Sequence, residues 1–233
     1  MSISQEHTVK AFDQDIGQLR ALISQMGGLA EQAIEDAMLA LSRGDTALAN
    51  EVRKRDKQID AIEAELEKNV VRVIALRAPM ADDLREVIAA LKIAAVVERI
   101  GDYAKNIAKR VPLIHAEGED RIEVVSILPA MGQLAADMVH DVLDAYSARD
   151  AQAAVRICAR DNALDDFYDS IFRTLVTYMV ENSKTISQVA HLLFVAKNLE
   201  RIGDHATNVA EMVYFAATGD YMAERETGPA ETN

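Results

Sequence analysis

The chain has 233 residues, with 38 acidic against 25 basic side chains and a formal net charge of −13. Half of the residues are apolar, which supplies a hydrophobic interior and excludes intrinsic disorder as the default. Trp is absent and both Gly (10) and Pro (4) are scarce, favouring helices over strands and turns, while the carboxylate excess argues against nucleic acid as a bulk partner and suits cations or basic protein surfaces.

Apolar residues recur at steps of three and four from Leu19 through Leu22, Ile23, Met26 and Leu29 to Ala33 and Ile34, so a first helix is predicted over 12–41. Gly44 and Asp45 read as a helix stop followed by an N-cap. A second helix runs to residue 77, ahead of Pro79, because the residue before a proline is pushed out of the right-handed helical region. The third starts at Asp82 or Asp83 and ends at residue 110, before Pro112. Pro112, Gly118 and a local acidic cluster make 112–123 a linker.

The pattern then repeats. A fourth helix is predicted over 124–146, with Pro129 tolerable near its start. Asp150 caps a fifth, which ends at residue 181 before Asn182 and Ser183. Thr185-Ile186-Ser187-Gln188 has the spacing of a capping box for a sixth helix reaching residue 217, and 218–233 forms a polar, flexible tail. The fold expected is all-α: two tandem three-helix bundles side by side, over 8–111 and 124–217.

Direct evidence of duplication comes from register. A shift of 105 pairs Asp45 with Asp150, Arg55 with Arg160, Asp56 with Asp161 and Asp60 with Asp165. A shift of 102 then aligns Glu98-Arg99-Ile100-Gly101-Asp102 with Glu200-Arg201-Ile202-Gly203-Asp204, followed by Asn106 and Asn208.

Each unit carries two acid ladders at a spacing of four. They are Asp56/Asp60 and Glu98/Asp102 in the first, Asp161/Asp165 and Glu200/Asp204 in the second. That spacing stacks like charges on one helix face, at a cost of about 0.2–0.5 kcal/mol per pair in an isolated helix. A divalent metal removes the conflict, since carboxylates of neighbouring helices can share a hard or borderline cation and Asn adds a carbonyl oxygen. Gly101 and Gly203 lie inside the ladders, where close approach of backbones is their use. A solvated acidic face is the alternative, with Arg99 and Arg201 as neighbouring counter-charges. Repetition at matched positions favours metal.

Other chemistries lack their parts. A helical di-iron oxidase needs two Glu-x-x-His motifs, whereas Asp137-x-x-His140 faces Glu35 at the repeat position. His205 is matched by Tyr103, and Met26-Gly27-Gly28 has no Lys-Ser/Thr continuation to cradle a triphosphate. The single cysteine, Cys158, excludes an intramolecular disulfide and a thiolate zinc site. The N-terminus has no basic region followed by an apolar core, and no run of about 18 apolar residues occurs, so a cytoplasmic protein is expected.

The duplicated unit, the two E-R-I-G-D-x-A-x-N stretches and the acid pairs on the preceding helices resemble the PhoU family, phosphate-signalling proteins that accompany bacterial phosphate transporters. The resemblance covers about residues 8–217. It implies a homodimer and divalent or iron-type metal ions (Fe, Zn, Mn or Mg) on the acid faces, with Asp56, Asp60, Glu98, Asp102, Asp161, Asp165, Glu200 and Asp204 as ligands. It also implies negative regulation of phosphate uptake and of the phosphate-starvation response. The partners it implies are the ATPase subunit of a phosphate ABC transporter and a sensor histidine kinase, with membrane association only through them. A metal-dependent enzyme and a purely structural acidic scaffold are the alternatives. The enzyme reading lacks a recognisable general base, so a non-enzymatic adaptor is preferred.

Overall fold

The computed structural model describes residues 2–115 and 123–222. Its helices are α1 (Ser2–Arg43), α2 (Thr46–Arg77), α3 (Asp82–Ile114), α4 (Leu128–Ala148), α5 (Ala151–Glu181) and α6 (Ile186–Thr218), and no strand occurs among the described residues. Short 3₁₀ turns at Glu123–Ser126 and Ser183–Thr185 lead into α4 and α6. Within each repeat the three helices pack on one another. The repeats join where α1 meets α4 and α3 meets α6. The fold is thus two three-helix bundles whose first and third helices make the shared middle, with α2 packed outside on α1 and α3 and α5 on α4 and α6.

Local chemistry accounts for most ends. Gly44 takes φ 68° at the first turn, and Asp45 accepts a 2.9 Å bond from the Leu48 amide. Asp150 does the same for α5, accepting from the amides of Gln152 and Ala153. Ala78, ahead of Pro79, leaves the right-handed helix for the left-handed region at φ 44°.

Four expectations need correction. Helix α1 starts at Ser2 rather than residue 12; apolar periodicity marks where a helix is packed, not where its backbone bonding begins. Helix α3 runs through Pro112 to Ile114, because one missing amide donor is outweighed by Val111 and Ile114, both fully buried. The final carbonyls are then taken up tertiarily: the Gln188 amide donates to the Ile114 carbonyl at 2.7 Å. That bond occupies the side chain expected to complete the capping box, and Thr185 makes no cap bond to α6. Finally, α4 begins at Leu128, with a 3₁₀ turn where its first residues were expected. Most of the expected linker, 116–122, and of the expected tail, 223–233, lies outside the described residues.

The core is aliphatic: Ile23, Met26, Ile34, Leu66, Ile93, Ile100, Ile107 and their counterparts are fully buried. One polar clasp crosses the joint between repeats. Glu86 of α3, 8% exposed, pairs with Arg20 of α1 and, at 3.2 Å, with Arg149 at the end of α4.

Candidate cation-binding faces

The two acid ladders of each repeat meet where its second and third helices pack. Gly101 makes this possible in the first repeat: a Cβ there would lie 2.7 Å from Ile59 Cδ1. Gly203 plays the same part in the second, where a Cβ would meet Leu164 and come within 3.1 Å of Asp161 Oδ1. The missing side chains let the carboxylates of α2 and α5 sit against α3 and α6.

In the first face Asp56 is 5% exposed and Asp60 exposed, both on α2, with Glu98 and Asp102 half-buried on α3. Glu63 of α2 joins them. Burial pushes its carboxyl up first, followed by the charges of Glu67, Asp60 and Asp102. Glu98 is raised to about 7, first by burial and then by Asp102, Glu63, Asp60 and Asp56. Burial also raises Asp56, against the opposing pull of Lys105, whose Nζ lies 2.5 Å from Asp56 Oδ2 and also pairs with Asp102. One ammonium therefore bridges a carboxylate from each helix.

The second face repeats the plan with a different counter-charge. Asp161 is 3% exposed, Asp165 is exposed, and Glu200 and Asp204 are half-buried. Asp204 is raised to about 6, first by burial, then by Glu200, Asp161 and Asp165, with Lys197 opposing. Lys197 Nζ pairs with Glu200 at 2.6 Å and lies 5.2 Å from the centre of the Tyr168 ring. The other Glu200 oxygen, Oε2, is buried without a hydrogen-bond partner. The two lysines are not repeat equivalents: Thr207 stands opposite Lys105, and Ala95 opposite Lys197. The acids are duplicated and the cations are not.

All eight predicted carboxylates therefore fall on these two faces, four to each. Three residues were missed. Glu63 extends the α2 ladder by three residues, a spacing that held the signal, whereas Lys105, three beyond Asp102, and Lys197, three before Glu200, have no repeat counterpart to mark them. Two other expectations fail. Arg99 and Arg201 are not the counter-charges of their neighbouring glutamates, because they point to the α3–α6 seam, where Arg201 lies 5.9 Å from the Tyr103 ring centre. Asn106 adds no ligand oxygen to the acid face; it accepts from Lys109 at 3.1 Å and lines a groove on that same seam. His205 packs edge-on against Tyr103 and donates from Nδ1 to the Arg201 carbonyl at 2.8 Å, held in the seam rather than among the acids.

The donors are all oxygen, suited to hard or borderline divalent ions. Burial first, and then the charges of the neighbouring carboxylates, raises the carboxyls of Glu98 and Asp204. In the side-chain conformations present, no group of three or more His, Cys, Asp or Glu among the described residues is assembled around a single ion position.

The PhoU domain model matches twice, over residues 23–111 and 128–213, one match for each bundle. The chain belongs to the PhoU family. A Zymomonas mobilis protein named as a phosphate-specific transport system accessory protein PhoU homolog is 55% identical over 222 residues, covering 95% of this chain and 93% of that one. A homolog of the same name from Caulobacter vibrioides is 46% identical over 94% of this chain and 95% of its own. The crystal structure of PhoU from Pseudomonas aeruginosa superposes with a TM-score of 0.85 at 37% identity, over 90% of this chain and all of that one. The phosphate transport system regulatory protein PhoU from Streptococcus pneumoniae gives 0.83 at 28% identity, over 91% and 99%. The tandem PhoU domains account for the duplicated register and for both acid faces. No helix among the described residues is long and apolar enough to cross a membrane.

Proposed function

We propose that this protein is a non-enzymatic, cytoplasmic regulatory accessory of a phosphate-specific transport system. It restrains phosphate uptake and the phosphate-starvation response by joining the transporter's ATPase subunit to a sensor histidine kinase. The observation that supports this reading is near-full-length identity of 55%, over both repeats, to a protein named as a phosphate-specific transport system accessory protein.

The acid faces are the proposed control elements. Asp56, Asp60, Glu98 and Asp102 would hold a divalent metal on one face, and Asp161, Asp165, Glu200 and Asp204 on the other. A bound metal would supply concentrated positive charge and fix the tilt of α2 on α3 and of α5 on α6. Gathering three donors calls for rotamer changes, and on the first face for release of Lys105 from Asp56 and Asp102. Metal occupancy is thereby coupled to side-chain rearrangement at the helix seam, a local change that a docked partner can read.

The test is co-purification of the full-length protein with the ATPase subunit and with the cytoplasmic part of the kinase, with chelator and with added Mn²⁺ or Zn²⁺. The proposal expects both complexes, with yields that differ between the two conditions. Failure to capture either partner under both conditions contradicts the adaptor role. Equal capture under both contradicts metal control.

A further inference from the structure

The same helix that turns its acids toward α2 turns its cations toward α6. Between α3 and α6, at the joint of the two repeats, a groove of about 460 Å³ is lined by Asn106, Lys109, Arg110, Phe194, Asn198 and Arg201, with Leu113 at its edge. Its charged lining is entirely basic, in a chain whose net charge is −13. Two other grooves of similar size carry carboxylates: Asp141, Asp144 and Asp150 beside Arg156 and Arg160 in one, Glu35 and Asp36 in another.

Arg110 is fixed before any ligand arrives. Its guanidinium lies 4.5 Å from the centre of the Phe194 ring, and its Nη1 donates to His191 Nδ1 at 3.2 Å. Stacking on the ring and contact with an imidazole nitrogen hold it without a carboxylate. Among the described residues no carboxylate forms an ion pair with Lys109, Arg110 or Arg201, although carboxylates outnumber cations 38 to 25 along the chain. Three cations gathered without a counter-ion repel one another, and folding gains nothing from their proximity.

Duplication supplies the control. Moving by 102 residues exchanges Lys109 for Glu211, Arg110 for Met212, Phe194 for Lys92 and Asn198 for Val96, and keeps Arg201, as Arg99, and Asn106, as Asn208. The repeat-related positions therefore hold two cations and one carboxylate, against three cations and none. The acid faces survived duplication on both sides. The basic groove exists on one side only, so it is no by-product of the shared fold.

We propose that this groove is an oxyanion site for the phosphate class, taking inorganic phosphate or a small phosphate monoester. Arg110 and Arg201 offer planar donor forks, Lys109 an exposed ammonium held by Asn106, and the Asn106 and Asn198 amides neutral polar contacts. Phe194 and Leu113, 53% and 48% exposed, form an apolar wall beside the cations. Inorganic phosphate leaves that wall uncovered, whereas an ester's organic body lies on it. The site is independent of the acid faces and of the adaptor reading.

The test is isothermal titration of the full-length, chelator-treated protein at fixed ionic strength, with inorganic phosphate in one arm and phenyl phosphate in the other. Chloride at equal ionic strength is the blank. The wild-type protein is expected to bind at least one of the two saturably. Each of Arg110→Gln and Lys109→Gln weakens that binding by about tenfold, the loss of one charge-assisted contact. Lys109 is exposed, so its variant keeps the proposal testable if Arg110→Gln fails to fold. Arg53→Gln, exposed on α2, removes equal charge elsewhere and leaves affinity unchanged. Tighter phenyl phosphate than phosphate assigns the site to an ester, and equal affinities to phosphate itself. Absence of saturable binding in both arms, or affinity unchanged in Lys109→Gln, overturns the proposal.

Discussion

Replacing Lys105 by Gln removes the single ammonium that bridges Asp56 and Asp102 while keeping the side chain polar. Asp56 is 5% exposed and its carboxylate lies 2.5 Å from Lys105 Nζ. Losing a hydrogen bond to a charged group costs about 1.5–3 kcal/mol. The Asp102 arm adds less, since its side chain is 41% exposed. Proton uptake by Asp56, already pushed up by burial, returns part of the loss. A net destabilisation of about 2 kcal/mol remains, equivalent to a fall in Tm of about 4–8 °C for a chain of this size. The assay is thermal unfolding followed by circular dichroism at pH 7.5, in chelator and then with added Mn²⁺ or Zn²⁺. Metal at a hundred times its Kd adds about 2.7 kcal/mol, enough to restore the variant. The metal-induced rise is larger in Lys105→Gln than in the wild type, because no ammonium has to be displaced. A variant as stable as the wild type in chelator, or one with the same metal response, would refute the argument that this lysine stands where a cation belongs.

Glu98 and Asp204 have carboxyls raised to about 7 and about 6, so the folded protein retains protons that the unfolded chain releases between about pH 4 and those values. Stability of the metal-free protein therefore rises as pH falls from 8 to 5.5, by about 1 kcal/mol after solvent screening. His205, whose imidazole is lowered by burial, opposes this. Glu98→Gln with Asp204→Asn should flatten the profile of chemical denaturation midpoints, and an unchanged slope counts against the field described. Ala78→Gly relieves a left-handed residue at φ 44° and should raise Tm by about 1–4 °C, from a gain of about 0.5–1 kcal/mol. Glu86→Gln leaves Arg20 and Arg149 without their shared carboxylate and should cost about 2 kcal/mol in urea unfolding, loosening the joint between repeats.

The fold was legible because its signals are local and repeated. Gly44-Asp45 and Asp150 act within three residues, and apolar steps of three and four run through every helix. The failures came where a distant group decides. Pro112 reads as a stop, yet Val111 and Ile114 bury the turn around it, and Gln188 reaches from α6 to cap α3 instead of its own helix. At the site, the four carboxylates of each face could be read from spacing and duplication. Their counter-charges could not, because Lys105 and Lys197 break the repeat. Arg99 and Arg201 suggested the wrong partners for the glutamates beside them, since adjacent helix positions project about 100° apart and face different neighbours. The basic groove was beyond sequence reading, as Arg110 and Phe194 lie 84 positions apart and meet only when α3 packs on α6.

The claim that the duplicated acid faces are metal sites is tested most directly by equilibrium dialysis against Mn²⁺ and Zn²⁺ with elemental analysis of the retained protein. The wild type is compared with Asp102→Asn, with Asp204→Asn and with the double variant. The account predicts saturable binding at both faces, loss of one face's share in each single variant and loss of nearly all in the double. Equal metal retention by the wild type and the double variant, or none by the wild type, would contradict it.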